Sequence, residues 1–190
     1  MKEATFTNSM KMHLEGVRQQ DGRAAYLLSC EMRNMKFHDI AVQNHCYKGA
    51  KWGNSNAQLE LGVLGLFNQL IDVDISTYDD IHYCPSEVAL EWLKKSSEAN
   101  NRIATYLYAK CLQNGICTEA NTKVADKMIE RAIEHLTTEE IIMLNSIIDY
   151  VRQGYSPLDV IINHHNIIMF PKYFKIFDTN AIIASRKKAS

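Results

Sequence analysis

The stretch ATYLYAKCLQNGICTEANTKVADKMIERAIEH, residues 104–135, decides how this chain of 190 residues folds. Ala104, Leu107, Tyr108, Cys111 and Leu112 fall on one stripe of a helix, and Gly115 stands where such a helix ends in the left-handed conformation. A short polar link follows. Asn121 is placed to cap a second helix, whose stripe is Val124, Ala125, Met128, Ile129, Ala132 and Ile133. The stretch therefore reads as a helical hairpin, and neither of its helices can bury an apolar face alone.

Similar stretches recur. Sliding EVALEWLKKSSEANNRIATYLYAKCL, which starts at Glu87, back by 47 places sets Lys95 on Lys48, Asn101 on Asn54, Ala104 on Ala57 and Tyr108 on Leu61. Sliding it forward by 36 sets Ala89 on Ala125, Trp92 on Met128, Leu93 on Ile129 and Glu98 on Glu134. An offset of 33 lays AAYLLSCEM from Ala24 on AQLELGVLG from Ala57. Self-similarity on this scale is the mark of stacked repeats, here with links of unequal length.

The order of Ala, a large apolar residue, a Gly-containing link, a polar cap and then an Ala…Trp-Leu-x-Lys run resembles the Sel-one-like repeat, a branch of the tetratricopeptide-like helical repeats. ALEWLKKSSEANNRIATYLYAKCLQNGICTEANTKVADKMIERAIE from Ala89 carries the resemblance, with GAKWGNSNAQLELG from Gly49 as a fainter copy. The chain departs from the pattern where Ala109 and Cys117 replace glycines, although Gly62 is kept. The resemblance implies an all-α fold, a short right-handed α-solenoid of antiparallel helix pairs in a single domain. The expected pairs are 21–34 with 38–52, 54–70 with 86–99, 101–113 with 121–135, and a degenerate 138–152 with 157–168. Residues 170–190 are expected to form a C-terminal cap and tail.

Composition agrees with a globular chain: 46% of residues are hydrophobic, 23% are charged, and only 3 prolines and 8 glycines punctuate it. A net charge of −1 supplies no field to gather nucleic acid, and Arg186, Lys187 and Lys188 are too few to make a binding patch. The N-terminus lacks the apolar segment of a secretory signal, and no run is long enough to span a membrane, so a cytoplasmic protein is expected. Five scattered cysteines, Cys30, Cys46, Cys84, Cys111 and Cys117, then read as free thiols.

Candidate chemistry concentrates in FNQLIDVDISTYDDIHYCPSE, residues 67–87. Asp72, Asp74 and Ser76 imitate the start of a calcium loop, but Thr77 stands where glycine is needed and Tyr83 where a closing glutamate belongs. Asp79, Asp80, His82 and Cys84 are the weak candidates for a transition-metal site, with no paired Cys or His motif to complete it. Adjacent His164 and His165 point in different directions on a helix. No Gly-x-Ser-x-Gly elbow and no phosphate-cradling loop occurs, so the reading is non-enzymatic, with no cofactor.

What the resemblance implies is an adaptor or scaffold that binds a protein or peptide on the concave face lined by the first helices of the pairs. Candidate contact residues are Tyr26, Leu59 and Tyr106 in one column, Arg33, Leu66 and Gln113 in another, with Arg102 and Lys110 beside them. Two alternatives stand beside this reading. One is a single-partner inhibitor of the bacterial immunity type; the other is a metal- or thiol-dependent enzyme using residues 79–84.

Overall fold

A computed structural model of the chain describes residues 7–72 and 86–153. Over these residues the helices are α1 (Asn8–Arg18), α2 (Gly22–Asn34), α3 (Asp39–Lys51), α4 (Ser55–Leu66), α5 (Ser86–Glu98), α6 (Arg102–Asn114), α7 (Thr122–Ile133) and α8 (Thr138–Arg152). No β-strand occurs among the described residues. The expected helix at 157–168, the cap at 170–190, His164 with His165, and the cluster of Asp79, Asp80, His82 and Cys84 lie outside them.

The helices start on side-chain caps. Asp21, Asn54, Asn101 and Thr137 place an oxygen on the backbone N–H two or three residues ahead, satisfying donors that a helix start leaves open. Asn121 caps α7 by accepting from the Val124 amide. At α8 the arrangement is reciprocal, because Glu140 also accepts from the Thr137 amide at 2.8 Å.

The exits share one geometry as well. After α1 to α6 an N–H reaches back five residues: Asp21 to Gly16, Phe37 to Met32, Asn54 to Gly49, Gln69 to Leu64, Asn101 to Ser96 and Ile116 to Cys111. In each, the residue just before the donor has positive φ, in turn Gln20, Lys36, Gly53, Asn68, Asn100 and Gly115. Only two of the six are glycine. The junctions α1–α2, α3–α4 and α5–α6 are copies of one another: a left-handed residue (Gln20, Gly53, Asn100) followed at once by a cap (Asp21, Asn54, Asn101). The sequence offsets of 33 and 47 align these junctions, which makes α1 the counterpart of α3 and α5. The sequence reading assigned no helix there, although Met10, Leu14 and Val17 follow the Thr7 cap at helical spacing.

Packing runs from each helix to the next along the chain up to α7, while α8 leans on α6. The interior is a series of overlapping cores. Met10, Leu28, Met32 and Val42 join α1 to α3. Tyr26, Cys46, Ala57, Leu61 and Trp92 join α2 to α5. Leu59, Leu93, Leu107, Leu144 and Ile147 join α4 to α8. Serial cores of this kind are the architecture of an α-solenoid.

Helix α4 is the most enclosed, with every residue from Ala57 to Leu66 buried. Gly62 and Gly65 face α5 across a close approach. A Cβ at Gly65 would fall 2.6 Å from the Ala89 Cβ and 3.0 Å from its Cα, and one at Gly62 would fall 2.6 Å from the Leu93 Cγ. Ser96, fully buried on α5, donates to the Ser55 carbonyl at 2.7 Å and fixes how α5 lies on α4.

Candidate functional site

The expected contact columns are taken up by the protein itself. Tyr26, Leu59, Leu66 and Tyr106 have relative exposures of 2%, 0%, 6% and 3%, which corrects the outward placement expected for them. Tyr26 lies in the core between α2 and α5, whereas Leu59, Leu66 and Tyr106 belong to the one that reaches α8. The Tyr106 hydroxyl donates to Asn145 Oδ1 at 2.8 Å, and that contact with α8 closes over the face expected to be open. A first helix inside a stack has neighbours on several sides, so the side opposite one apolar stripe is not thereby solvent.

The polar members of the columns remain partly exposed but are engaged. Arg33 on α2 pairs with Glu60 on α4, and Arg102 on α6 reaches Glu140 on α8 at 3.5 Å. Lys110 donates to Gln113 Oε1 at 2.9 Å and lies 5.8 Å from the Tyr106 ring centre, while Gln113 donates to Asp126 at 3.0 Å. The Arg33–Glu60 and Arg102–Glu140 pairs, with the Asn101–Asn56 bond at 3.1 Å, lace the first helices to one another, whereas Lys110–Gln113 lies within α6 and Gln113–Asp126 ties α6 to α7.

The Arg33–Glu60 pair holds the most buried charge of the described residues. Burial pushes the Glu60 carboxyl up from its ordinary value, and Arg33, then Cys46 and Tyr26 as donors, pull it down without cancelling the rise. Desolvation thus outweighs the ion pair, as is common when a carboxylate leaves water. Burial, followed by the nearby Glu60, also pushes the Cys30 thiol up to about 11, and raises Cys46. Burial pushes Cys111 up to about 12. Thiols held this way stay protonated near neutral pH and are poor nucleophiles. Among the described residues no three His, Cys, Asp or Glu side chains converge as a metal site would require.

A different surface offers room. A cleft of about 490 Å³ opens between α3 and α5, with α4 behind it. Trp92 on α5 and Tyr47 on α3 meet edge to face, ring centres 5.9 Å apart and planes at 83°. The Lys95 ammonium lies 4.6 Å from the Trp92 ring centre, a cation–π distance. Ala50, Val88 and the buried Leu70 and Ile71 complete its apolar lining. The Leu70–Ile71 side is held to α3 by one side chain: Gln43 donates to the Gln69 carbonyl at 2.9 Å and accepts from the Ile71 amide at 3.0 Å. The Gln43 amide thereby stands in for a neighbouring strand. The rim carries both signs, Lys51 and Lys95 against Asp72 and Glu91. In the sequence Trp92 and Tyr47 sit in different repeat units, so nothing local joined them into a site.

No family model and no curated protein matches the sequence. Among solved structures, the chain is similar to a Sel1 repeat protein from Oxalobacter formigenes, with a TM-score of 0.57 and 16% identity, covering 74% of this chain and 99% of that one. A second similarity is to a protective antigen present in uropathogenic Escherichia coli strains and displaying an SLR fold. There the TM-score is 0.46 and the identity 14%, with 79% of this chain and 34% of that chain covered. No described helix is long and apolar enough to cross a membrane. The eight helices of the described residues, their repeated junctions and the likeness to the Oxalobacter protein show that this chain has the Sel1-repeat fold.

Proposed function

We propose that the protein is a non-catalytic interaction module of the adaptor or scaffold type, engaging a protein or peptide partner in the cytoplasm. The observation that carries this reading is the cleft between α3 and α5. It has a volume in the range of ligand pockets, the half-buried Tyr47 at its edge over the buried Trp92, and rim charges of both signs. Aromatic side chains beside a partly polar rim are the make-up of protein-binding hot spots. The raised thiols of Cys30, Cys46 and Cys111 weigh against cysteine nucleophiles at those positions. The first-helix row, where Arg33, Arg102, Lys110 and Gln113 keep some exposure, is a second contact area in this reading.

The test is affinity capture from native lysate with the intact protein, followed by reconstitution of the purified pair and hydrogen-exchange footprinting. The expected result is a defined complex that protects α3 and α5, or the first-helix row. Failure to reconstitute any complex, together with turnover of a small molecule by the pure protein, would overturn the reading.

A further inference from the structure

Each first helix of a pair carries a large apolar or aromatic residue five places after its cap: Tyr26 after Asp21, Leu59 after Asn54, Tyr106 after Asn101 and Ile142 after Thr137. The first three are covered by the first helix that comes next. Tyr26 donates to Glu60 on α4, Leu59 shares a core with Ile103 and Leu107 of α6, and Asn145 on α8 closes over Tyr106. Ile142 holds the same position in α8, and no described helix follows α8. It is 62% exposed, against 3% for Tyr106. The stacking position that is filled three times along the molecule is thus open at its last occurrence.

The chain itself supplies an occupant. Among the described residues the large hydrophobic side chains that stay exposed are Met12, Met35, Val124, Ile133 and Ile142, and the last three belong to α7 and α8. Uncovered apolar surface is therefore concentrated next to residues 154–190. Of those 37 residues fifteen are large apolar or aromatic, a load that needs apolar surface to bury against. The segment also has five basic and two acidic residues, a net of +3, whereas residues 1–153 have 16 basic and 20 acidic, a net of −4. The charges of the two parts attract. A second copy fits the position less well, because three partly exposed aliphatic side chains fall far short of the roughly 800 Å² per partner that a stable dimer buries. A segment attached to α8 needs no such area, since its tether gives it a high effective concentration there.

We propose that residues 154–190 fold back over α8 and set an apolar side chain on Ile142, in the place that α8 takes over Tyr106, so that the protein's own chain caps the stack. The end of the stack is then closed to a second copy, and contacts with other proteins are confined to its sides. This inference goes beyond the interaction-module reading and does not depend on it.

The test is hydrogen exchange of the full chain, read by mass spectrometry, in the unaltered protein and in Ile142→Glu and Ile142→Ala. A stretch within 154–190 is expected to exchange at least about 100-fold more slowly than an unstructured chain. Ile142→Glu should remove about tenfold of that protection and Ile142→Ala about threefold, with α1 to α6 unchanged and the protein monomeric by light scattering. Met12→Glu, a similarly exposed change on α1, should leave the segment's exchange as it was. Exchange of all of 154–190 at the unstructured rate overturns the proposal, as does protection that neither Ile142 variant alters. If Ile142→Glu also disturbs α1 to α6, the alanine variant decides. Protection of α8 that rises with protein concentration, in step with a dimer, gives the position to a second copy and overturns the proposal. So does loss of a captured partner in Ile142→Glu while exchange of 154–190 stays unchanged, which gives the position to that partner and leaves the interaction-module reading standing.

Discussion

Helices α4 and α7 are both 12 residues long, and they bury themselves in opposite ways. In α4 ten consecutive residues, Ala57 to Leu66, are buried, including the charged Glu60. In α7 only Ala125 and Ala132 are buried, while Val124 and Ile133 at the two edges of its apolar arc are exposed. Judged by amphipathic pattern alone, α7 is the better-formed core helix and α4 hardly has a polar side. The difference lies in neighbours. α4 is clasped by α3 and α5, with Arg33 and Asn101 reaching in from α2 and α6, whereas α7 packs on α6. A strong one-sided pattern thus marks a helix covered on one side, and an apolar helix without a pattern marks one covered all round.

Leu61→Ala in α4 should cost about 3 kcal/mol, because a fully buried side chain is removed from a site that cannot collapse. Val124→Ala in α7 should cost no more than about 0.5 kcal/mol. Equal losses in urea denaturation would mean that α7 is covered as closely as α4. Next, Gly65→Ala sets a helix-propensity gain of up to about 1 kcal/mol against overpacking onto Ala89, and the net loss should be about 1–2 kcal/mol. A rise in Tm would show that α4 and α5 are less close than described.

Glu60 gives a pH test of the same enclosure. Its carboxyl is raised in the folded state, so the folded protein holds a proton that the unfolded chain releases above about pH 4.3. Stability should therefore fall as pH rises from that point through the raised value, by at most about 1.4 kcal/mol per pH unit. Glu60→Gln should remove this slope, and an identical slope in the variant would place the effect elsewhere. Smaller still, Cys117 adopts φ 57° at a position where the repeat pattern has glycine. Cys117→Gly should stabilise by about 1 kcal/mol by relieving left-handed strain. Thermal denaturation reads the sign directly.

Much of the fold is legible in the sequence, because caps and repeats are written in side chains. Gly115 and Asn121 announce their roles, and the offsets of 33 and 47 reach the shared junctions through Ala57, Asn54 and Asn101. Two of the six matching exits are not legible, since Gln20 and Lys36 take positive φ without being glycine or, like Asn68 and Asn100, the asparagine that tolerates it. There the tertiary contacts and the five-residue return bond hold a conformation that local preference does not select. The site was legible only in kind. Tyr106 looks outward if one stripe of α6 is inward, and only the arrival of α8 with Asn145 shows otherwise. The Trp92–Tyr47 pairing depends on how α5 lies over α3, which follows from the glycines and Ser96 between α4 and α5, not from either aromatic residue's own segment.

The Gln43 amide bonded to Gln69 and Ile71 has an evolutionary consequence. It anchors the chain just before Asp72, so the register of α5 on α4 depends on the anchor and on the α4–α5 contacts, not on how many residues lie between. Lengthening a connection tethered in this way adds little closure entropy. One side chain thus frees a single link of the repeat to change in length and composition while the helices on either side keep their fit, making it a natural point at which such a protein could acquire new specificity.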